Sequence, residues 1–386
     1  MSFATLPLSY CTNVHPAQGV GEVIAGLDRY SGPVRQAAGF PVAAGLWLAA
    51  PVISELQSDA SRLDSLRQAL ERNNLACYTL NAFPYGDFHS ERVKENVYHP
   101  DWTTDARLQY TRGCAAVLAE LLPDGVEGSI STVPLGFKAA SASPGFVENC
   151  IPQLLALARS LDDLHDATGR VIRLAIEPEP LCVLETTPET IAFFRTLFEA
   201  ASAAGLLEIA QRHLGMCYDV CHQSVEFEDV RYSIQELRDA GVRINKVHIT
   251  CAVRVENPSD PAVRAALADF AEPRYLHQTF ARTKDRQVVF RTDLDRSFCD
   301  SPPPEFAAAK EWRVHFHVPV NAESIGPLQT TRNDLKRALK AVAELDYAPH
   351  LEVETYTWHV LPGEQRPSLV DGLTAEMQAT RELLEG

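Results

Sequence analysis

The chain has 386 residues, of which 46% are hydrophobic and 22% are charged. This composition favours a packed core over wholesale disorder, and the length is common among α/β barrels that carry insertions. The 35 basic and 51 acidic residues give a formal charge of −16, which argues against nucleic acid and anionic lipid as partners because both attract a basic face.

The sequence gives no sign of a membrane span or of secretion. There is no uninterrupted apolar run of about eighteen residues, and the start, MSFATLPLSYCTNVHPA, lacks the basic and long apolar regions of a signal peptide. Nine cysteines are scattered without a C-x-x-C pair, and several lie in apolar runs, as expected of buried thiols in a reducing compartment. We therefore expect a cytoplasmic protein without direct membrane insertion.

Short apolar runs predict nine β-strands along the chain. In chain order they are LSYCTNV (8–14), AGLWLA (44–49), ACYTLNA (76–82), GSISTVPL (128–135), IRLAIEP (172–178), LGMCYDV (214–220), NKVHITC (245–251), RVHFHVPV (313–320) and HLEVETYTW (350–358).

Stretches with helical periodicity lie between these strands, for example 61–74, 146–167 and 190–205. Thr187 followed by Pro188 predicts an N-cap with proline at the first helical position. The β–α alternation predicts a parallel sheet, and eight such units close most naturally into a (β/α)8 TIM barrel. A doubly wound open sheet is the alternative, which the absence of a G-x-G-x-x-G or Walker lysine loop disfavours.

Nine strand candidates for eight positions leave one strand over. We expect RVHFHVPV to lie beside the barrel mouth or to follow a split seventh unit. Residues 252–312 are too long for an ordinary connection. We therefore expect a single TIM-barrel domain over 1–386, with 252–312 as a lid or insertion before the last strand.

Acidic and imidazole side chains occur at or near the ends of five consecutive strand candidates. They are Glu177 and Glu179, Asp219 and His222, His248, His315 and His317, and Glu352 and Glu354. Active sites of TIM barrels assemble at the carboxyl ends of the strands. His248 alone has a plain explanation as a buried, hydrogen-bonded histidine, but five such strands together predict a shared divalent metal site.

Mixed carboxylate and imidazole ligands suit Mn²⁺, Zn²⁺, Co²⁺ or Mg²⁺. Asp219 and His222, three residues apart, either both face one ion, or His222 orients a neighbouring ligand.

This pattern resembles the xylose-isomerase-like barrel superfamily, whose sugar isomerases and epimerases bind one metal through Glu, Asp, His and Glu. The matching residues are Glu177, Asp219, His248 and Glu354. YDVCH and LEVETYT also resemble segments of endonuclease IV, a multi-zinc relative, and His315 and His317 resemble a further ligand pair of that protein. AGLWLA has no histidine, which argues against a three-zinc phosphodiesterase site.

A more specific resemblance, to EboE-type metabolite traffic proteins, spans nearly the whole chain. The segments that carry it are LSYCTNVHP, LNAFPYGDFH, RVKENVYHPDW, GSISTVPLGFK, RYLHQ and WRVHFHVPV. The resemblance implies a gene cluster for moving secondary metabolites, with neighbours that look like a sugar-phosphate cyclase, a metal hydrolase and a membrane prenyltransferase. Proteins of that cluster are candidate partners.

By resemblance, Glu177 and Glu354 are the catalytic residues of a metal-dependent isomerase or epimerase. The ion would polarise a carbonyl of a sugar, sugar phosphate or cyclitol, while one carboxylate removes the α-proton and another returns it. There are two alternatives. The first is a metal-dependent phosphoester hydrolase, with His222 or His317 as proton carrier or second-metal ligand. The second is a non-catalytic metabolite carrier or scaffold.

The loop 83–102 and two other sites supply candidate substrate-binding residues. They are Tyr85, His89, Arg92, Lys94, Trp102, Lys138 and His15. The aromatic side chains are suited to stack on a sugar and the basic ones to hold a phosphate, although solvation explains Arg92 and Lys94 equally well. Lys138 either reaches an anionic group or lies in solvent, and His15 either lines the mouth or is a turn residue before Pro16.

Overall fold

The structure is a computed structural model that describes residues 3, 5–363 and 366–386. Its strands are, in chain order, β1 (Leu8–Cys11), β2 (Val42–Trp47), β3 (Thr79–Asn81), β4 (Gly128–Thr132), β5 (Ile172–Ile176), β6 (Leu214–Asp219), β7 (Ile244–Ile249), β8 (Cys251–Val255), β9 (Thr279–Arg282), β10 (Val288–Arg291), β11 (Glu311–Val318), β12 (Ser324–Ile325), β13 (Leu328–Thr330) and β14 (His350–Val353).

The helices alternate with the strands over most of the chain. They are α1 (Val20–Gly26), α2 (Gly32–Ala38), α3 (Ala50–Ser58), α4 (Ala60–Arg72), α5 (Asp105–Leu121), α6 (Phe146–Thr168), α7 (Thr187–Ala203), α8 (Leu207–His213), α9 (Val220–Val225), α10 (Val230–Asp239), α11 (Pro261–Ala268), α12 (Arg296–Asp300), α13 (Pro304–Ala307), α14 (Arg332–Ala343) and α15 (Leu369–Glu385). Among the described residues, none of these helices has both the length and the apolar character of a transmembrane span.

Eight parallel strands close into a barrel in the order β1-β2-β3-β4-β5-β6-β7-β14. The predicted (β/α)8 TIM barrel is confirmed. Each barrel strand lies within the predicted apolar run or starts at most two residues before it. Because the strands are parallel, their carboxyl ends all meet at one mouth.

The start of α7 shows how the sequence defines an element boundary. Thr186 is the N-cap, one residue earlier than predicted, and its hydroxyl and the Glu189 side chain form a capping box. Two otherwise unpaired backbone N–H groups are thereby satisfied. Pro188 lies in the first turn, where it costs no hydrogen bond.

An insertion between β7 and α14 builds a second sheet of antiparallel strands, in the order β10-β9-β11-β8-β13-β12. RVHFHVPV, the candidate expected to lie outside the eight barrel positions, overlaps β11, a central strand of this sheet. The sheet continues past residue 312, the end expected from the sequence, because β13 pairs with β8. The insertion packs on the barrel through a small apolar cluster that includes Leu181, Cys221 and Phe280.

The nine cysteines are all buried and unpaired. This agrees with their prediction as small apolar side chains of the core.

Candidate metal centre

Four acidic or imidazole groups meet at the barrel mouth. Glu177 follows β5, Asp219 ends β6, His248 lies in β7 and Glu354 follows β14, and their ligand atoms all lie within 4.8 Å of one another. His248 Nδ1 lies 3.0 Å from Glu177 Oε1, 3.2 Å from Glu354 Oε2 and 3.5 Å from Asp219 Oδ2. The structure thus brings together the four side chains that the sequence singled out from separate strands.

Strand register explains this convergence. Asp219 of β6 pairs with His248 of β7, and His248 pairs with Glu352 of β14. Because strand side chains alternate between faces, Glu354 follows Glu352 on the inner side of the barrel.

A buried ion pair lies beneath His248. The Nε2 atom of His248 lies 3.1 Å from Glu352 Oε2, and this oxygen lies 2.5 Å from Lys246 Nζ. Lys246 and Glu352 are both fully buried. Since the carboxylate of Glu352 is an acceptor, Nε2 keeps its proton, and a cation that displaces the Nδ1 proton would meet the Nδ1 lone pair on the side of Glu177, Asp219 and Glu354.

Two amides orient Glu354. Asn13 Nδ2 and Asn81 Nδ2 both donate to Glu354 Oε1, at 2.9 and 2.7 Å. The other oxygen, Oε2, is therefore directed towards His248. Sequence reasoning missed both asparagines, although each ends or follows an apolar run, because only acids and histidines were considered.

Three further histidines border the centre, and each donates its Nδ1 proton away from it. His222 Nδ1 donates to Pro178 O at 2.9 Å, His317 Nδ1 to Glu354 O at 2.7 Å, and His315 Nδ1 to Gln278 Oε1 at 2.8 Å. Each Nε2 atom consequently keeps its lone pair. His222 and His317 form one compact group of ligand atoms with Asp219, and His222 and His315 form another with Glu179.

The amide of Gln278 has its orientation fixed by its other contacts. Its Nε2 atom donates to Pro180 O at 3.1 Å and to Tyr98 OH at 3.2 Å, so Oε1 must face His315. The backbone supports the same arrangement, because the pairing of β11 with β8 shifts register between Val314 and Val318, around His315 and His317.

The centre has more negative than positive charge. Burial raises the pKa of Glu354 to about 7 and also raises that of Glu177. Burial opposes the charge on His248, but Cys217, Glu177 and Glu354 together raise the pKa of His248 well above its usual value. Such a site stabilises a bound cation.

Unpartnered buried atoms provide the test of fit for a metal. Glu177 Oε2, Asp219 Oδ2, Glu179 Oε2, His315 Nε2 and His317 Nε2 are buried without a hydrogen-bond partner. Isolated polar atoms of this kind are costly. Oxygen and imidazole donors together match the ligand preferences of Zn²⁺ and Mn²⁺, so the residues fit a divalent cation.

A cavity of about 510 Å³ opens over the centre. Its lining combines polar residues of the centre and its border, namely Asn13, Asn81, Glu177, Glu179, His222, His315, His317 and Glu354, with the residues Phe83, Pro84, Phe88, Val93, Lys94, Val97, Tyr98, Tyr275, Leu276 and Tyr356.

The basic residues expected at the substrate do not offer it a free charge. Lys94 lines the cavity, but its Nζ is engaged by Tyr275 O, Glu272 O and Asp293 Oδ2 at 2.6, 3.2 and 2.6 Å. Lys138 pairs with Glu185 and Glu189 and lies outside the cavity lining.

The structure also places the other expected substrate residues away from the cavity lining. Arg92 is exposed and, with Tyr85, borders a separate surface depression. His89 Nε2 contacts Asn13 O at 2.8 Å, Trp102 is fully buried and donates to Thr132 Oγ1, and His15 packs on Tyr30. Packing and hydrogen bonds, which the sequence cannot show, engage His15, His89 and Trp102, whereas Arg92 faces solvent.

No protein-family model matches the chain, and no curated protein sequence matches it. By fold, the chain is similar to several solved structures. One is a D-tagatose 3-epimerase-like protein (TM-score 0.51, 11% identity, 98% of this chain and 97% of that chain covered). Another is an IolI protein with a bound zinc atom (TM-score 0.50, 13% identity, 98% of this chain and 98% of that chain covered). A third is a xylose isomerase-like TIM barrel protein from Mycobacterium smegmatis in complex with magnesium (TM-score 0.50, 12% identity, 99% of this chain and 97% of that chain covered). At this identity the likeness concerns the fold.

Proposed function

We propose that the protein is a divalent-metal-dependent isomerase or epimerase that acts next to a carbonyl group of a small polyhydroxylated molecule. The observation that carries this proposal is the convergence of the ligand atoms of Glu177, Asp219, His248 and Glu354 within 4.8 Å at the mouth of a TIM barrel. The similar barrels described with zinc, with magnesium and as epimerase-like support it.

Glu177, Asp219, His248 and Glu354 would hold the ion. When bound, a divalent cation supplies Lewis acidity that makes a hydrogen next to a substrate carbonyl more acidic. Glu177 and Glu354 come from strands on opposite sides of β6 and β7, so they border the cavity from two directions. One carboxylate takes the proton from carbon and the other delivers a proton to the opposite face. No co-reactant is consumed.

Asn13 and Asn81 hold Glu354 in place for this transfer. Both amides bond Oε1, so the carboxylate has little rotational freedom. A fixed donor–acceptor geometry lowers the entropic cost of the reaction.

The insertion is proposed to act as a lid of this single barrel domain. Tyr275 and Leu276 of the insertion line the cavity. Val93 N and Lys94 N both donate to Arg274 O at 2.8 Å. The insertion is thus tied to the loop that follows β3, and the two together cover the mouth, which excludes water from the reaction.

The finer proposal, an EboE-type protein of a secondary-metabolite pathway, is supported by the sequence segments that resemble that family along nearly the whole chain. Proteins of the same gene cluster are the proposed partners.

A metal-dependent phosphoester hydrolase is a second candidate, favoured by the additional histidine ligands. His222 and His317, with Asp219, offer a second set of ligand atoms, and pairs of metal ions are common in hydrolases of phosphate esters.

Deuterium exchange tests the proposed reaction. Metal-loaded protein in D₂O is expected to place deuterium on the carbon next to the carbonyl of candidate ketoses and cyclitol ketones, as read by NMR. Glu354→Gln is expected to abolish this exchange, while Phe290→Ala, at an exposed position of β10, leaves it unchanged. Release of inorganic phosphate without exchange indicates the hydrolase. Ligand binding that survives Glu354→Gln, with neither reaction in the wild type, indicates a carrier.

A further inference from the structure

Part of the cavity lining is apolar and aromatic, and it reaches the metal centre at Tyr356, whose ring lies 4.7 Å from that of His317. Phe88 lies 5.0 Å from Tyr275 and 5.3 Å from Tyr356 between ring centroids, and the two tyrosines are 5.0 Å apart. Val97 and Leu276 belong to the same wall. This group of five side chains is here called the aromatic wall. Phe88 and Val97 belong to the loop after β3, Tyr275 and Leu276 to the insertion, and Tyr356 to the segment after β14.

The hydroxyl group of one wall tyrosine is engaged by the protein. Tyr275 OH donates to Phe88 O at 3.2 Å. Tyr275 therefore presents its ring to the cavity, and aromatic surface of this kind favours the burial of apolar groups.

The cavity also lacks a free cation among the described residues. No arginine lines it, and Lys94 is the one lysine that does. An ammonium group has three protons, and those of Lys94 are matched by Tyr275 O, Glu272 O and Asp293. A phosphate group remote from the metal needs arginine, lysine or several backbone N–H groups, and the aromatic wall provides none of these side chains.

We infer that the substrate is a neutral molecule with an oxygen-rich carbonyl end and an apolar, aryl-sized or alkyl end, rather than a sugar phosphate. This inference rests on the proposed function, which assigns the carbonyl end to Glu177, Asp219, His248 and Glu354. The apolar end then lies against Phe88, Tyr275 and Tyr356. Two observations carry the assignment: the contacts among the rings of Phe88, Tyr275 and Tyr356 in the lining, and the hydrogen bonds that engage Lys94.

Three ketones that share one head group test the inference. They are 2-hydroxyacetophenone, dihydroxyacetone and dihydroxyacetone phosphate, which all contain HO–CH₂–CO and differ in carrying a phenyl, a hydroxymethyl or a phosphorylated end. Affinities are measured by calorimetric titration of the full chain, with and without Mn²⁺. We expect the phenyl ketone to bind about tenfold or more tightly than dihydroxyacetone, through burial of its ring, and the phosphate ester to gain no such advantage.

Variants connect the preference to the wall. Phe88→Ala and, as a milder change, Leu276→Ala are expected to reduce the affinity for 2-hydroxyacetophenone about fivefold or more, with little change for dihydroxyacetone. Phe290→Ala, exposed on β10, is the matched control and should change neither affinity.

The inference is overturned if the phosphate ester binds as tightly as the phenyl ketone, or if the phenyl ketone shows no advantage over dihydroxyacetone. Failure of the proposed function looks different. In that case no deuterium enters any of the three ketones, while the order of affinities, measured also in metal-free protein, still holds.

Discussion

His248 has acidic partners on both imidazole nitrogens, three carboxylates near Nδ1 and Glu352 at Nε2. A neutral imidazole has only one lone pair, so the group that accepts its proton decides which nitrogen is available to a metal. Glu352 has this position and Lys246 keeps it ionised, since burial is outweighed by the lysine and the pKa of Glu352 is lowered. Glu352 and Lys246, which lie outside the proposed set of metal ligands, thus determine which nitrogen of His248 faces the metal site.

Replacing Glu352 tests this arrangement. In Glu352→Gln the amide gives Lys246 no opposite charge and also offers N–H groups to His248 Nε2, which favours the wrong tautomer. We expect affinity for Mn²⁺ or Zn²⁺ to fall by about ten- to a hundredfold, as measured by calorimetric titration. His350→Gln, two residues earlier on the same strand, is the control and should bind metal like the wild type. Unchanged affinity in a folded Glu352→Gln protein would show that Glu352 does not position His248.

At the scale of elements, the barrel strands must leave room for this buried pair. A Cβ atom at Gly45 of β2 would lie 1.4 Å from Glu352 Oε1 and 3.2 Å from Tyr10 O. Glycine is therefore required where β2 passes Glu352. The sequence AGLWLA shows the glycine but gives no reason for it.

Gly45→Ala is expected to lower the free energy of unfolding by about 1–3 kcal/mol, because the added methyl group overpacks the barrel interior. It should also weaken metal binding, since Glu352 must move. Urea denaturation and metal titration measure the two effects. Gly21→Ala in α1, where nothing lies within 4 Å of the new Cβ, should be neutral or stabilising by up to about 1 kcal/mol. Equal free energies of unfolding for Gly45→Ala and Gly21→Ala would show that β2 does not pass as close to Glu352 as the structure indicates.

The barrel elements could be predicted from the sequence more fully than the insertion. Barrel strands are continuous apolar runs because helices cover them, and Glu177 and Asp219 interrupt such runs visibly. The small strands of the insertion lack this pattern. Val288 and Phe290 of β10 are exposed, and β12 has only two residues. These segments are strands because of the strands they pair with, which the local sequence does not show. The ion pair of Lys246 could not be predicted from the sequence either, because its partner Glu352 lies on another strand, 106 positions later in the chain.

At the scale of the whole molecule, the two ends of the barrel differ in chemistry. The mouth collects the ionisable groups described above. The opposite end contains His350, the first residue of β14, with Nδ1 2.8 Å from Ser129 Oγ and its ring against Tyr78. Burial, aided by the charge of Lys246, lowers the pKa of His350 to about 3.

Stability is therefore expected to depend on pH through His350. In the unfolded chain the pKa of His350 is about 6.5, so below that pH the unfolded state binds a proton that the folded state does not bind. The contribution of neutral His350 to the free energy of unfolding is therefore complete above about pH 6.5 and declines as the pH falls towards 3. Between pH 7 and pH 5 the loss is about 2 kcal/mol. Urea denaturation at both pH values should show that His350→Gln reduces this difference by about that amount, and an identical difference in the variant would contradict the assignment.

The proposed function requires that Glu177, Asp219, His248 and Glu354, which come from four separate barrel strands or their ends, bind one divalent cation at the barrel mouth. Anomalous diffraction from crystals grown with Mn²⁺ or Zn²⁺ can locate such an ion. We expect a peak at roughly 2.0–2.3 Å from the Glu177, Asp219 and Glu354 carboxylates and from His248 Nδ1, and its loss in Asp219→Asn. Absence of a peak there in metal-saturated crystals, or a peak bound only by other residues, would show that these four side chains do not bind a shared ion.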